Sequence, residues 1–342
     1  MCWRWAIAGI IGVVSIVHAG IYSPDEEPAL IDKEGKAKAL PFETFRVVLE
    51  DYRQIAVPVL NSQQRQSYLK IREELFSKRS RATTEELIRL SAVLLRLREF
   101  ENALEVLQLA RSRDPRNFVV QSHLAMALHM MGDPNAARYQ DGALSLRVRE
   151  LPGLSPEQTT WFLRVEKIFY DLLKSRFREQ RDRGPRAPVE TLDPIFPVNF
   201  VGESGNFEPG TIAQAERAKL PDDAMAIVQQ LLLWMPEDAR LYWLLGELYN
   251  AQGDLKAAST ILDQCEDARR FYTPQLRAHR IAVKDALASQ MTRVEQKPAS
   301  WLDHPEILWA AGAIALLILT PLVYLQLRQV RRKWFGDCQT GL

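Results

Sequence analysis

Ala103 and Ala137 stand 34 residues apart, and the same interval separates Ala224 from Ala258. A fixed period of that length holds one unit of two helices, which cannot bury its apolar face alone and has to stack on its neighbours. The stretch "LYWLLGELYNAQGDLKAASTIL", residues 241–262, shows why the alanine matters. Tyr242, Leu245 and Tyr249 recur at three and four residues and form an apolar stripe, Gly253-Asp254 supplies a turn, and Ala258 and Leu262 follow on a second helix. Gly246 and Ala258 are small where the two helices must approach closely. The expected fold is all-α, a solenoid of helical hairpins.

Residues 239–272 resemble the tetratricopeptide repeat family, with Tyr242 in the tryptophan place, then Leu245, Gly246, Tyr249, the Gly253-Asp254 turn, Ala258 and Leu262. Residues 84–117 resemble it through Leu87, Leu90, Leu94, Phe100, Ala103, Leu107, Ala110 and Pro115. Residues 118–151 follow in frame with Leu124, Ala125, Leu128, Gly132-Asp133 and Ala137. A unit at 205–238 keeps only its second half, Ala224, Val228, Leu231 and Pro236. The resemblance spans 84–151 and 205–275 and implies a surface that binds proteins or peptides, lined by the first helix of each unit. By that resemblance Arg89, Ala92 and Arg96, then Ser122, Met126 and His129, then Trp243, Glu247 and Asn250 face the groove. Ala103, Ala137, Ala224, Gly246 and Ala258 are the packing residues it implies. The set of lysines, asparagines and arginines with which some relatives grip a C-terminal carboxylate is absent at these places. Trp243 reads equally well as an interface anchor or as core.

The two pairs of units are out of frame, so residues 152–204 carry an insertion. Its first part, from Ser155-Pro156, reads as a helix with Trp161, Val165, Ile168, Phe169 and Leu172 on one side. Its second part, "GPRAPVETLDPIFPVNFVGESGNFEPG", has five prolines and four glycines, which exclude regular helix and leave a long ordered loop or a short strand excursion. Ahead of the repeats, 20–40 reads as a flexible leader. Helices over 41–56 and 63–78, with Phe45, Leu49, Tyr52, Leu69, Leu75 and Phe76 as core candidates, cap the first repeat within 41–83.

Both ends suggest a membrane. Residues 1–19 have Arg4, an apolar run and small residues closing at Ala19, the anatomy of a cleaved signal peptide, with an uncleaved anchor as the other reading. After 205–290 and a linker over 291–306, residues 307–327 carry no charge over 21 positions, the pattern of a transmembrane helix. Arg328, Arg331, Arg332 and Lys333 in the 328–342 tail place that end in the cytoplasm and the body outside it, in the periplasm or exterior of a bacterium. Cys265 is the lone thiol of the body, so the fold holds by packing rather than by a disulfide. Between 20 and 327 there are 39 Lys and Arg against 42 Asp and Glu, a net of −3, which argues against a nucleic-acid partner.

No reaction centre is legible. His123 and His129 lie six apart, about 240° around a helix, too far to clasp one metal. The chain has no H-E-x-x-H, no phosphate-binding glycine loop and no G-x-S-x-G. Cys265 sits at a small-residue place of a repeat, where a thiol is buried rather than nucleophilic. Residues 164–186 hold eight Lys and Arg against four Asp and Glu, read as a solvated helix face or as contact with an anionic surface. The expectation is a membrane-anchored, non-catalytic scaffold for proteins or peptides, with no cofactor and no metal. The alternative is a ligand or catalytic site built around the 184–210 insertion, for which Asp193, Glu203 and Glu208 would have to converge in a pocket.

Overall fold

The computed structural model describes residues 29–58, 62–184 and 191–295, together with 316–317, 319–321 and 323–327. Two compact units divide after Leu287. In the first, helices follow one another as α1 (Phe42–Ala56), α2 (Gln63–Ser77), α3 (Thr84–Arg96), α4 (Phe100–Arg113), α5 (Phe118–Met130) and α6 (Ala136–Ser145). Then come α7 (Pro156–Arg183), the short α8 (Gln214–Arg217), α9 (Ala224–Trp234), α10 (Ala239–Ala251), α11 (Leu255–Asp267) and α12 (Pro274–Glu295), which runs past the division. Among the described residues the only β-type pairing is an isolated bridge between Ile31 and Ala37.

The helices start where the sequence supplies caps. Thr83 and Glu86 close a reciprocal capping box on α3, and Ser155 and Gln158 do the same on α7, with Pro156 at its first position. Asn117, Asp238 and Asp254 accept backbone N–H groups at the starts of α5, α10 and α11. The three hairpin turns share one geometry: the N–H of Glu99, Asp133 and Asp254 returns to the carbonyl of Leu94, Leu128 and Tyr249. Each needs a left-handed residue just before, filled by Gly132 and Gly253 in two cases and by Arg98, at φ 62°, in the third.

Packing follows the small residues. Ala103, Ala224, Ala258 and Gly246 are buried, and a Cβ on Gly246 would stand 2.5 Å from Leu262 Cδ2, so any larger residue there would force Leu262 to move where α10 approaches α11. At the remaining place Ala136 is the buried residue and Ala137 is half-buried. One apolar core runs from Leu30 to Val283.

Two expectations are corrected. Residues 29–40 of the expected flexible leader are folded: Leu30 and Ile31 are buried, and Gln229 of α9 brackets Leu40, accepting from its N–H at 2.8 Å and donating to its carbonyl at 3.0 Å. The expected transmembrane helix over 307–327 is overturned, because no helix among the described residues is long and apolar enough to cross a membrane. The described residues of that stretch, 316–317, 319–321 and 323–327, are exposed helix. The rest of 307–327, the expected signal peptide at 1–19 and the tail at 328–342 lie outside the described residues.

Candidate functional site

The residues expected to face a groove fall into two groups with different neighbours. In the first, α3 and α5 meet α9 and α7. Arg96 is buried, donates from Nη1 to the Leu233 carbonyl at 2.6 Å and lays its guanidinium 4.0 Å over the Tyr52 ring. Met126 is buried and, with Met130, Leu95 and Trp234, lines a small cavity. Ser122 Oγ donates to Glu166 Oε1 at 2.9 Å, and Gln140 Nε2 donates to Glu166 Oε2 at 2.5 Å. His129 meets Phe169 edge-on at 5.8 Å, and Phe169 meets Trp234 in the same way at 5.9 Å. Ala92 is buried and Arg89 half-buried. The inner side of these hairpins is therefore occupied by the chain itself. The physical reason is α9, "AMAIVQQLLLW", which is uncharged and apolar apart from Gln229 and Gln230, is buried at every residue and has to be surrounded.

Burial also fixes the histidines. His123 Nδ1 lies 2.9 Å from Ser91 Oγ, which itself donates to the Ile88 carbonyl, and burial reinforced by the Arg96 charge pushes the imidazole down to about 3. His129 is pushed down to about 4, by burial first and then by Arg176, with Asp238 opposing. Both are neutral at pH 7, and no group of His, Cys, Asp and Glu among the described residues is placed to hold a metal ion. Cys265 is fully buried, and burial pushes its thiol well up, which makes it unreactive.

The second group lies on α10 beneath residues 192–207, a strap that crosses its inner face. The strap is neither helix nor strand. It is built on three successive tight turns in which the N–H groups of Ile195, Val198 and Val201 return to the carbonyls of Asp193, Phe196 and Asn199. Trp243 is core, fully buried, and its Nε1 donates to Glu247 Oε1 at 2.7 Å. His279 Nδ1, from α12, meets the same oxygen at 2.7 Å, and its ring stacks on Phe207 of the strap at 3.7 Å and 12°. Asn250 accepts from the Gly210 N–H at 2.7 Å and donates to the Glu208 carbonyl at 3.4 Å, so it ties down the far end of the loop. Between strap and helix remains a cleft of 590 Å³, lined by Phe196, Phe200, Phe207, Trp243, Glu247 and His279 among others.

A charge network fastens the near end. Asp193 is buried and binds Arg176 of α7 at 2.6 Å and Arg240 of α10 at 3.0 Å. Arg176 also grips Asp238, the cap of α10, and Arg240 binds Glu179 at 2.6 Å. Burial alone would raise Asp238, but the Arg176 charge and hydrogen bonds outweigh it and hold the carboxyl down at about 2. Asp193, Glu203 and Glu208 do not converge. Asp193 belongs to this network, Glu203 accepts the Gln214 N–H at 2.7 Å, and Glu208 accepts from Ser204 Oγ at 2.5 Å. Each is used up locally, which leaves the alternative of a site built on those three carboxylates without support.

Sequence reasoning missed Glu166, the Arg176 network and the pairing of Glu247 with His279. A four-residue spacing puts Trp243 and Glu247 on one face of a helix, but nothing in the sequence brings His279 to them. A tetratricopeptide repeat family model matches residues 216–278, from the end of α8 to the first turns of α12, and supports a tetratricopeptide protein. No curated protein matches the chain.

Proposed function

We propose that this chain is a non-catalytic scaffold that holds a protein or peptide in the cleft between α10 and the 192–207 strap. Tetratricopeptide repeats generally mediate the binding of protein partners, and the matched stretch 216–278 contains the whole of α10. The observation that carries the reading is the cleft itself, 590 Å³ on the inner face of α10, while α9 leaves only a small cavity beside Met126 on the corresponding face of α3 and α5. A rigid concave wall with aromatic lining binds a chain segment at low ordering cost. The apolar segment within 1–19, closed by small residues, supports export of this body, so the partner is sought outside the cytoplasm.

A photo-crosslinking amino acid placed at Asn199, exposed on the cleft wall, tests the proposal against the same group at Lys256, exposed on α11. The expected result is a defined protein adduct from position 199 that is missing from position 256. Identical adducts from both positions, or none from 199, would remove the cleft as the binding surface.

A further inference from the structure

The floor of this cleft carries a carboxylate that the protein leaves half satisfied. Glu247 is 1% exposed, and its Oε1 receives both Trp243 Nε1 and His279 Nδ1. Its Oε2 is buried and meets no donor among the described residues. A buried acceptor without a donor is costly to the fold, so such an atom inside a cleft is a place where an incoming donor gains more than it would in water. The protein's own cations around it are committed elsewhere. Arg176 and Arg240 serve Asp193, Asp238 and Glu179, Arg280 pairs with Glu266 and Asp263, Lys284 pairs with Asp263, and Arg269 lies over Tyr242.

The walls define what can bring the donor in. Phe196, Val198, Phe200 and Phe207 give them apolar and aromatic patches beside polar ones such as Asn199 and Gln275, so a charged head is best brought in on a stem that these side chains can cover. The Phe207 ring, flat on His279, is a half-buried aromatic next to the carboxylate. A planar guanidinium stacks on such rings and is more weakly hydrated than an ammonium, so it loses less on entering. We infer that the cleft takes an arginine side chain of the partner, flanked by an apolar residue, with the guanidinium donating to Glu247 Oε2. This rests on the peptide-binding reading above and gives it a chemistry: the scaffold selects a basic residue set among apolar neighbours.

Calorimetric titration of the full chain with the capped pentapeptide Ala-Leu-Xaa-Leu-Ala tests it, with Xaa as arginine, lysine, citrulline or glutamate. Arginine is expected to bind best, lysine a few-fold more weakly, and citrulline, which keeps the shape without the charge, about 10-fold or more below arginine. Glu247→Gln keeps an acceptor for Trp243 and His279 but removes the charge, and is expected to erase the difference between arginine and citrulline. Gln275→Lys, at an exposed position on the cleft wall, leaves the core untouched and is expected to weaken arginine binding several-fold by like-charge repulsion. Equal affinity for arginine and citrulline, unchanged arginine affinity in a folded Glu247→Gln protein, or no arginine binding at millimolar peptide would each overturn the inference. Adducts from position 199 together with indifference to charge overturn the arginine assignment and leave the scaffold standing; absence of those adducts removes both.

Discussion

On the inner side of α3 and α5 stands a helix, α9, buried along its whole length; on the inner side of α10 stands a strap with no regular structure. A helix satisfies its own backbone and can be apolar all round, so it seals the surface that it covers. A strap of successive tight turns has no continuous face to pack against a helix, so it covers without sealing. The same hairpin architecture thus yields a closed core at one end and a lined cleft with an underused carboxylate at the other. The comparison locates binding capacity in what is laid over the hairpins rather than in the hairpins themselves.

The sharpest way to break this contrast is to remove the plug. Trp234→Ala deletes the largest side chain that α9 sets against Phe169 and the methionines, and thermal or urea unfolding should show a loss of about 3–5 kcal/mol. A loss below about 1 kcal/mol would mean that α9 is not filling the groove. Next comes the fastening of the strap. Arg176→Met leaves Asp193 with Arg240 alone and takes from Asp238 the cation that holds it, at a cost of about 3 kcal/mol. Hydrogen exchange should quicken over 192–207 and at the start of α10 while α3 to α6 stay protected.

Acid separates the two ends in another way. The unfolded imidazole of His123 takes up a proton near 6.5 and the folded one not until about 3, so this contribution is complete above pH 6.5 and is lost as the pH falls through that window. By pH 5 the loss from His123 is about 2 kcal/mol, with His129 acting in the same direction, and His123→Leu should flatten the dependence of Tm on pH between 7 and 5. The smallest effect is expected at the strap surface. Phe207→Ala removes one ring stacked on His279 and should cost about 1 kcal/mol of stability while weakening any ligand held in the cleft. A cost like that of Trp234→Ala would show that the strap seals as tightly as the helix does.

The hairpins were legible because their signals are local. A small residue, an apolar stripe and a left-handed turn within 34 residues suffice, and α3 to α6, α10 and α11 carry all three. Even so, Arg98 fills a turn place where glycine stands in the other two units, a substitution that the repeat pattern alone does not announce. What was not legible is who covers whom. Residue types nominate Arg96, Met126, Trp243 and Glu247 as inward-facing, but whether a partner or the chain itself meets them depends on pairings such as Arg96 with Leu233 and Asp193 with Arg176, which no periodicity encodes. The one available signal was the absence of a polar face on α9, which a solvent-exposed repeat helix would have.

The position of α9 in the chain has a consequence for biogenesis. Helices α3 to α6 rest on contacts between neighbours in sequence and can form early, whereas the helix that fills their inner side emerges only after the long α7 and the strap have been made. Until then the young chain carries an open apolar trough. A product ending at Gly184 should expose that trough permanently and self-associate, so premature termination or proteolysis within 185–210 would turn a well-behaved protein into a sticky one.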